Sequence, residues 1–230
     1  MKDFAFLFDL DGVIVDSMPV HTRAWSAYLQ QLGLPATDAA IESRMHGKRN
    51  DDIVADFIGR GLDAAAVFEH GAAKERLFRQ LMKTRLKERL VRGIEEFLAR
   101  FEGIPMAVAS NAEPANIDFV LDGAGLRSRF RVIVDGQQVD RPKPFPDVYL
   151  RAAALLDVSP GNCIVFEDSP AGVAAGRAAG MRVVGVQTHS ANLPDVDFSI
   201  HDFEDRNLEA WLRDAAFRPM PFSFPIPPQN

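Results

Sequence analysis

Short, largely apolar runs recur along the chain, each about as long as a buried β-strand. The first covers residues 4–8 (FAFLF), and similar runs lie at 104–109, 132–134, 163–166 and 181–186. Runs with so few polar positions are typical of strands that are covered on both faces, as in a parallel sheet. The pattern therefore predicts five strands of one buried sheet.

Helical patterns lie between these runs. Apolar residues in 94–101 are spaced i, i+3, i+4 and i+7, and 146–156 and 169–179 also predict helices. The last helix has Ser169 in the N-cap position and Gly180 just past its end. Strands that alternate with helices predict βαβ units, hence an α/β fold with a doubly wound, Rossmann-like core and a mainly parallel sheet.

The stretch that follows the first strand departs from this alternation. Apolar residues in 25–32 share one helical face, and Gly33 marks the end of that helix. Residues 50–59 and 63–88 also have helical patterns, and no strand-like run lies among them. The sequence therefore predicts a small all-helical cap domain of about 70 residues, inserted after the first strand of the α/β domain.

The predicted domain boundaries follow from this division. Residues 1–16 and 91–216 form the α/β core domain, and 17–90 form the helical cap domain. The tail, 217–230, holds five of the chain's 15 prolines, which excludes regular helix or sheet. We expect this tail to be an extended arm or a disordered segment.

Composition narrows the class of protein. The formal net charge is −6, which argues against a nucleic-acid partner because phosphate backbones require a basic surface. A single cysteine, Cys163, excludes an internal disulfide framework and is compatible with a reducing compartment. No segment resembles a signal peptide, and no run approaches the roughly 18 apolar residues that span a bilayer. We expect a cytoplasmic protein, without a membrane partner, that is a monomer or small homo-oligomer.

Polar residues follow four of the predicted strands. They are Asp9 and Asp11 after the first, Ser110 and Asn111 after the second, Lys143 in the loop after the third, and Glu167 and Asp168 after the fourth. In a doubly wound sheet, ligands bind beyond the carboxyl ends of the strands, which lie at one edge. We therefore expect these side chains to meet there.

The chemistry of this set is that of phosphoryl transfer. Asp9, Asp168 and Glu167 offer hard oxygen ligands that suit Mg²⁺. An aspartate that attacks phosphorus must overcome repulsion between anions, which a metal ion and a fixed lysine offset. Asp11, two residues after Asp9, is placed to pass a proton to the leaving oxygen. Each group also has an alternative role without catalysis. Asp9 and Asp11 would form a polar turn, Lys143 would be a solvated loop residue, and Glu167 and Asp168 would cap the next helix.

Four segments of the chain carry a resemblance that strengthens this interpretation. In order, they are FDLDGVIVDS, VASNAEP, RPKPFPD and FEDSPAG. They resemble the four ordered motifs of the haloacid dehalogenase superfamily, in its branch of phosphatases and β-phosphoglucomutase-like phosphomutases with a helical cap. The resemblance covers residues from about 4 to 200. It implies that Asp9 is the nucleophile and Asp11 the general acid and base. The second aspartate also argues against dehalogenase activity, because dehalogenases lack an acid/base there.

The same resemblance implies roles for the other motif residues. Ser110 and Lys143 bind the transferring phosphoryl group. Mg²⁺ is held by the Asp9 side chain, the Asp11 backbone carbonyl and Asp168, and Glu167 supports these ligands from beside the metal.

Four further residues are candidates for substrate binding. Asn111 either contacts substrate or begins the next helix. His21 lies where β-phosphoglucomutase-like proteins have their cap hinge, and Lys74 resembles a cap lysine that reaches the active site in that branch. Arg49 is a candidate for binding the distal part of the substrate. Each of the last three has an alternative without a substrate contact. His21 would be a packed or hinge residue, Lys74 would lie on a solvated helix face, and Arg49 would lie at a polar helix start.

The choice between phosphatase and phosphomutase rests on the distal site. A mutase must hold a bisphosphate, and the resemblance weakens where the second phosphate would bind. The position that carries arginine in the family is Asn50 here, next to Arg49, and Glu113 near the other wall would repel a phosphate. We therefore expect hydrolysis of a small phosphate ester, a sugar or polyol phosphate. A β-phosphoglucomutase-type mutase is the alternative, and a non-catalytic phosphometabolite-binding protein a more remote one.

Overall fold

A parallel sheet of six strands forms the centre of the computed structural model, which describes residues 4–45, 50–189 and 192–217. The strand order is β3-β2-β1-β4-β5-β6, and every neighbouring pair is parallel. The strands are β1 (Ala5–Phe8), β2 (Met106–Ala109), β3 (Val132–Val134), β4 (Cys163–Glu167), β5 (Arg182–Val186) and β6 (Phe198–Ile200). The predicted fold class is confirmed, and β6 is a strand that the sequence pattern did not predict.

Nine α-helices surround this sheet in the described part of the chain. Four lie between β1 and β2: α1 (Met18–Gln31), α2 (Asp38–Met45), α3 (Asn50–Phe57) and α4 (Ala64–Met82). The others are α5 (Ile94–Arg100), α6 (Pro114–Ala124), α7 (Asp147–Leu156), α8 (Pro170–Ala178) and α9 (Arg206–Phe217). None of the helices described has the length and apolarity needed to cross a bilayer. The proline-rich stretch from residue 218 onward lies outside the described residues.

The apolar runs predicted as strands are buried on both faces of the sheet. Phe6 and Phe8 of β1 belong to one hydrophobic cluster, and Ala5 and Leu7 belong to the cluster on the opposite face. Alternate residues of a strand point to opposite faces, so β1 must be apolar at every position. Phe8 stacks on Phe166 of the neighbouring strand β4, with ring centroids 4.7 Å apart.

Helices α1–α4, called the helical insert below, have a hydrophobic core of their own. Trp25 and Leu29 of α1 are fully buried, and they cluster with Ile41 of α2 and Val54 of α3. This confirms the helical character predicted for the stretch after β1. The exact boundaries of the cap domain stay a prediction.

Two linkers that run side by side connect the helical insert to the sheet. The Asp16 amide donates to the Arg89 carbonyl over 2.7 Å, and the Val91 amide donates to the Ile14 carbonyl over 3.0 Å. The Asp16 carboxylate also pairs with the Arg89 guanidinium and with His189 after β5, each at 2.7 Å. The chain therefore enters and leaves the insert at one place.

Candidate active site

The side chains that follow the strands meet in one pocket between the sheet and the helical insert. Most of the predicted site residues that the structure describes line this pocket: Asp9, Asp11, His21, Lys74, Ser110, Asn111, Lys143 and Asp168. Glu167 lies beneath the pocket and is fully buried. Arg49 lies outside the described residues. The expectation that parallel strands deliver these groups to one edge of the sheet is met.

Lys143 connects the ends of β1 and β4. Its ammonium group donates to Oδ1 of Asp9 over 2.7 Å and to Oε1 of Glu167 over 2.6 Å. Burial raises the pKa of Asp9 to about 7 against the opposing effect of Lys143, and the nearby carboxylates of Glu167 and Asp11 add to the increase. The lysine is itself buried, which excludes the alternative of a solvated loop residue.

Glu167 is held by donors on both of its oxygens. Besides Lys143, Oε1 accepts a hydrogen bond from the Tyr149 hydroxyl at 2.9 Å. Oε2 accepts from the Asp168 amide and from the amide and hydroxyl of Ser169, each at 3.0 Å. The Ser169 hydroxyl also accepts from the Gly172 amide at 3.0 Å, so Ser169 is the N-cap that the sequence predicted. These bonds fix Glu167 as a counter-charge behind Lys143.

Three carboxylates at this edge of the sheet offer oxygen ligands for a divalent cation. Oxygens of Asp9, Glu167 and Asp168 lie within 4.8 Å of one another. Burial, with repulsion from Glu167 and Asp9, raises the pKa of Asp168 well above its usual value. Gly12 has a φ of +75°, and a Cβ there would overlap the Asp168 carboxylate, so glycine permits this close approach. A hard divalent cation would relieve the repulsion, and the donor set therefore fits Mg²⁺.

Asp11 has a different environment from Asp9. Burial alone would raise its pKa, but the neighbouring His21 and a hydrogen bond from Ser17 hold the pKa of Asp11 below its usual value. The Ser17 hydroxyl donates to Oδ1, and Nε2 of His21 lies 3.7 Å from the same oxygen. Two carboxylates only two positions apart in the sequence thus have pKa values shifted in opposite directions.

His21 and Lys74 of the helical insert meet above Asp11. Lys74 is 2% exposed, which excludes a solvated helix face, and its Nζ lies 3.0 Å from Nδ1 of His21. The His21 ring stacks on Phe78 at 3.8 Å between centroids. Lys74 also donates to Oε1 of Glu75 over 2.6 Å. The structure therefore brings both insert residues to the pocket.

Asn111 and Ser110 shape the opposite wall. The amide of Lys143 donates to Oδ1 of Asn111 over 3.2 Å, and helix α6 begins only at Pro114. Asn111 is thus not the start of the helix, and it holds the backbone that carries the lysine. The Ser110 amide donates to the Val134 carbonyl over 3.0 Å, which ties the end of β2 to β3.

Two buried polar residues of the pocket, Glu75 and Asn116, were not predicted from the sequence. Glu75 is 3% exposed and accepts from Lys74, from Asn50 at 2.6 Å and from Asn116 at 2.7 Å. Burial would raise the pKa of Glu75, but Lys74 and His21 lower it to about 2. Glu75 follows Lys74 directly in a helix rich in charged residues, and that pattern does not separate a buried carboxylate from a solvated one.

Comparisons with known proteins identify the family and its relatives. Residues 5–180 match the family model described as haloacid dehalogenase-like hydrolase. The β-phosphoglucomutase of Bacillus subtilis is 33% identical over 212 residues, which cover 89% of this chain and 92% of that protein. Hexitol phosphatase A of Escherichia coli is 34% identical over 219 residues, with coverages of 89% and 93%. A crystal structure of β-phosphoglucomutase from Clostridium difficile superposes with a TM-score of 0.81 at 25% identity, covering 94% of this chain and 97% of that one.

Proposed function

The chain belongs to the haloacid dehalogenase-like hydrolases, and from that premise we propose that it is a magnesium-dependent phosphatase. The substrate is a small phosphorylated metabolite, a sugar or polyol phosphate, and the reaction passes through an aspartyl-phosphate on Asp9. The observation that carries the proposal is the Lys143 ammonium group, 2.7 Å from Asp9 and 2.6 Å from Glu167, beside an Asp11 with partners of its own.

In the first step an Asp9 oxygen attacks phosphorus, and the bond from phosphorus to the ester oxygen breaks. Asp11 gives its proton to that oxygen, so the alcohol leaves neutral. Lys143 and Ser110 stabilise the phosphoryl oxygens by charge and hydrogen bonding. Mg²⁺, when held by Asp9, Asp168 and the Asp11 carbonyl, supplies further neutralisation of the phosphoryl charge.

In the second step the roles of the two aspartates reverse. Asp11 takes a proton from a water molecule, whose oxygen attacks phosphorus, and the bond to Asp9 breaks to release phosphate. Asp11 is then protonated again for the next cycle. Asp11 must be ionised for this step, because the carboxylate is the form that accepts a proton.

Two further carboxylates in the pocket favour a monophosphate as substrate. Glu113 and Glu75 both line the pocket. Arg79 neutralises Glu113 and Lys74 neutralises Glu75, so these cations already have anionic partners. A second phosphate group would have to compete with both carboxylates for Arg79 and Lys74. The similarity to β-phosphoglucomutases supports a mutase as the second candidate.

A panel of phosphate esters, assayed for phosphate release with and without Mg²⁺, tests the proposal. We expect turnover of sugar or polyol monophosphates that requires Mg²⁺ and is lost in Asp9→Asn. Asp118→Asn, the same change at an exposed position of α6, should retain wild-type turnover. With β-glucose 1-phosphate and a trace of the 1,6-bisphosphate, glucose 6-phosphate that forms faster than free phosphate would identify a mutase instead.

A further inference from the structure

Four side chains form a contact between the helical insert and the sheet domain, beside the pocket. Arg79 and Glu75 lie one turn apart on α4 and therefore share a helix face. Glu113 and Asn116 lie at the beginning of α6. We call these four residues the clasp.

Asn116 is the centre of the clasp. Its Oδ1 accepts from the Arg79 guanidinium over 2.6 Å, and its Nδ2 donates to Oε2 of Glu75 over 2.7 Å. The two ends of a primary amide are chemically different, so the arginine fixes which end faces Glu75. Arg79 is oriented in turn by Glu113, at 2.5 Å. Asn116 is 4% exposed, and water therefore competes little for these bonds.

From the clasp, polar contacts continue to Asp11, the proposed acid/base. Glu75 accepts from Lys74 at 2.6 Å, and Lys74 lies 3.0 Å from Nδ1 of His21. Nε2 of the same ring faces Oδ1 of Asp11 at 3.7 Å. The clasp is thus connected through Lys74 to His21, the insert residue that faces Asp11.

We propose that the clasp is a positioning device for proton transfer. Contact of Arg79 with Glu113, and of Glu75 with Asn116, sets Lys74 against His21. His21 in turn faces Asp11. Leaving-group protonation is therefore fast only when the helical insert is seated on the start of α6. Glu75, Arg79, Glu113 and Asn116 act through other residues, so they are positioning residues, and the inference rests on the proposed phosphatase activity.

Charge reversal across the clasp tests the proposal. Arg79→Glu places two carboxylates together and removes the donor to Asn116. We expect kcat/KM for an alkyl phosphate to fall about 30-fold, the lower end for loss of a hydrogen-bonded charge pair, because both side chains are 24% exposed. The double variant Arg79→Glu/Glu113→Arg restores the ion pair but not the donor to Asn116, so it should recover only part of the loss. Arg76→Glu, the same change at an exposed position of α4, should have no effect.

Comparison of two substrates separates positioning from a general structural defect. The good leaving group of p-nitrophenyl phosphate needs no proton, so its kcat/KM should fall much less in Arg79→Glu than that of the alkyl ester. Equal losses for both esters, no recovery in the double variant, or no loss at all would overturn the proposal.

Hydrogen exchange tests the clasp independently of turnover. Backbone amides of 70–82 should exchange faster in Arg79→Glu than in wild type or Arg76→Glu, and unchanged exchange would refute the clasp. A wild-type protein that hydrolyses no ester in Mg²⁺ would instead contradict the proposed function.

Discussion

Gly172, the third residue of α8, offers a direct test of how firmly the Glu167 carboxylate is held. A Cβ at this position would overlap the Glu167 carboxyl group. Such an overlap costs little when a flexible side chain can swing away. Glu167 is fully buried, however, and donors from Lys143, Tyr149 and Ser169 engage both of its oxygens. Gly172→Ala must therefore break hydrogen bonds that hold the charge behind Lys143.

The expected cost follows from the bonds at Oε1. Displacing this oxygen breaks the bonds from Lys143 and Tyr149. Hydrogen bonds to charged groups contribute about 1.5–3 kcal/mol each, which gives a loss of about 3–6 kcal/mol. Alanine in a helix returns about 1 kcal/mol relative to glycine. Gly172→Ala should therefore lower the free energy of unfolding by about 2–5 kcal/mol, and it should also lower kcat because Lys143 loses one of its two anchors.

Urea unfolding, followed by circular dichroism, measures this change. Gly161→Ala is the matched control, because an added Cβ there meets nothing within 4 Å. If Gly172→Ala unfolds within about 0.5 kcal/mol of the control and retains wild-type turnover, the carboxylate is not rigidly held and the reasoning is refuted.

Two further predictions concern titration and thiol reactivity. In protein freed of divalent cations, the raised pKa values of Asp9 (about 7) and Asp168 make the folded state bind more protons than the unfolded state between about pH 4 and 7. The free energy of unfolding should therefore fall as pH rises through that window. Mg²⁺ should raise the melting temperature more at pH 8 than at pH 5. A metal-free protein whose free energy of unfolding increases from pH 5 to 7 would contradict this prediction. Burial raises the pKa of Cys163 to about 12, so a disulfide reagent at pH 8 should modify the thiol only after unfolding, and rapid labelling of native protein would be inconsistent with the structure.

The pocket's sheet-side residues could be predicted because their positions depend on local pattern. Each apolar run ends in a polar group, and parallel strands place their carboxyl ends at one edge. Asp9, Ser110 and Asp168 therefore follow from strand recognition. Lys143 lies nine residues beyond β3 and was singled out by its place in the RPKPFPD motif. The pattern did not predict β6, since Phe198–Ile200 has a serine at its centre and polar residues on both sides. It also did not predict α9, which follows that strand.

The contribution of the helical insert could be anticipated only in part. His21 and Lys74 were candidates by resemblance, but the orientation of α4 decides which of its many charged side chains face the pocket. Asn116 meets Glu75 across 41 positions of sequence, and no local pattern records that contact. Glu113 was expected to repel a distal phosphate, and the structure shows in addition that it pairs with Arg79.

The central place of β1 has a consequence for the order in which the chain folds. Phe8 aligns with Val108 on one side and with Phe166 on the other, both far later in the chain. During synthesis, β1 therefore emerges long before either neighbouring strand exists. The contacts of α1–α4 are closer in sequence, and close contacts form sooner because less loop entropy is lost. The helical insert can thus assemble while β1 is still unpaired, and the loop that carries Asp9 is fixed only after β4 has been made.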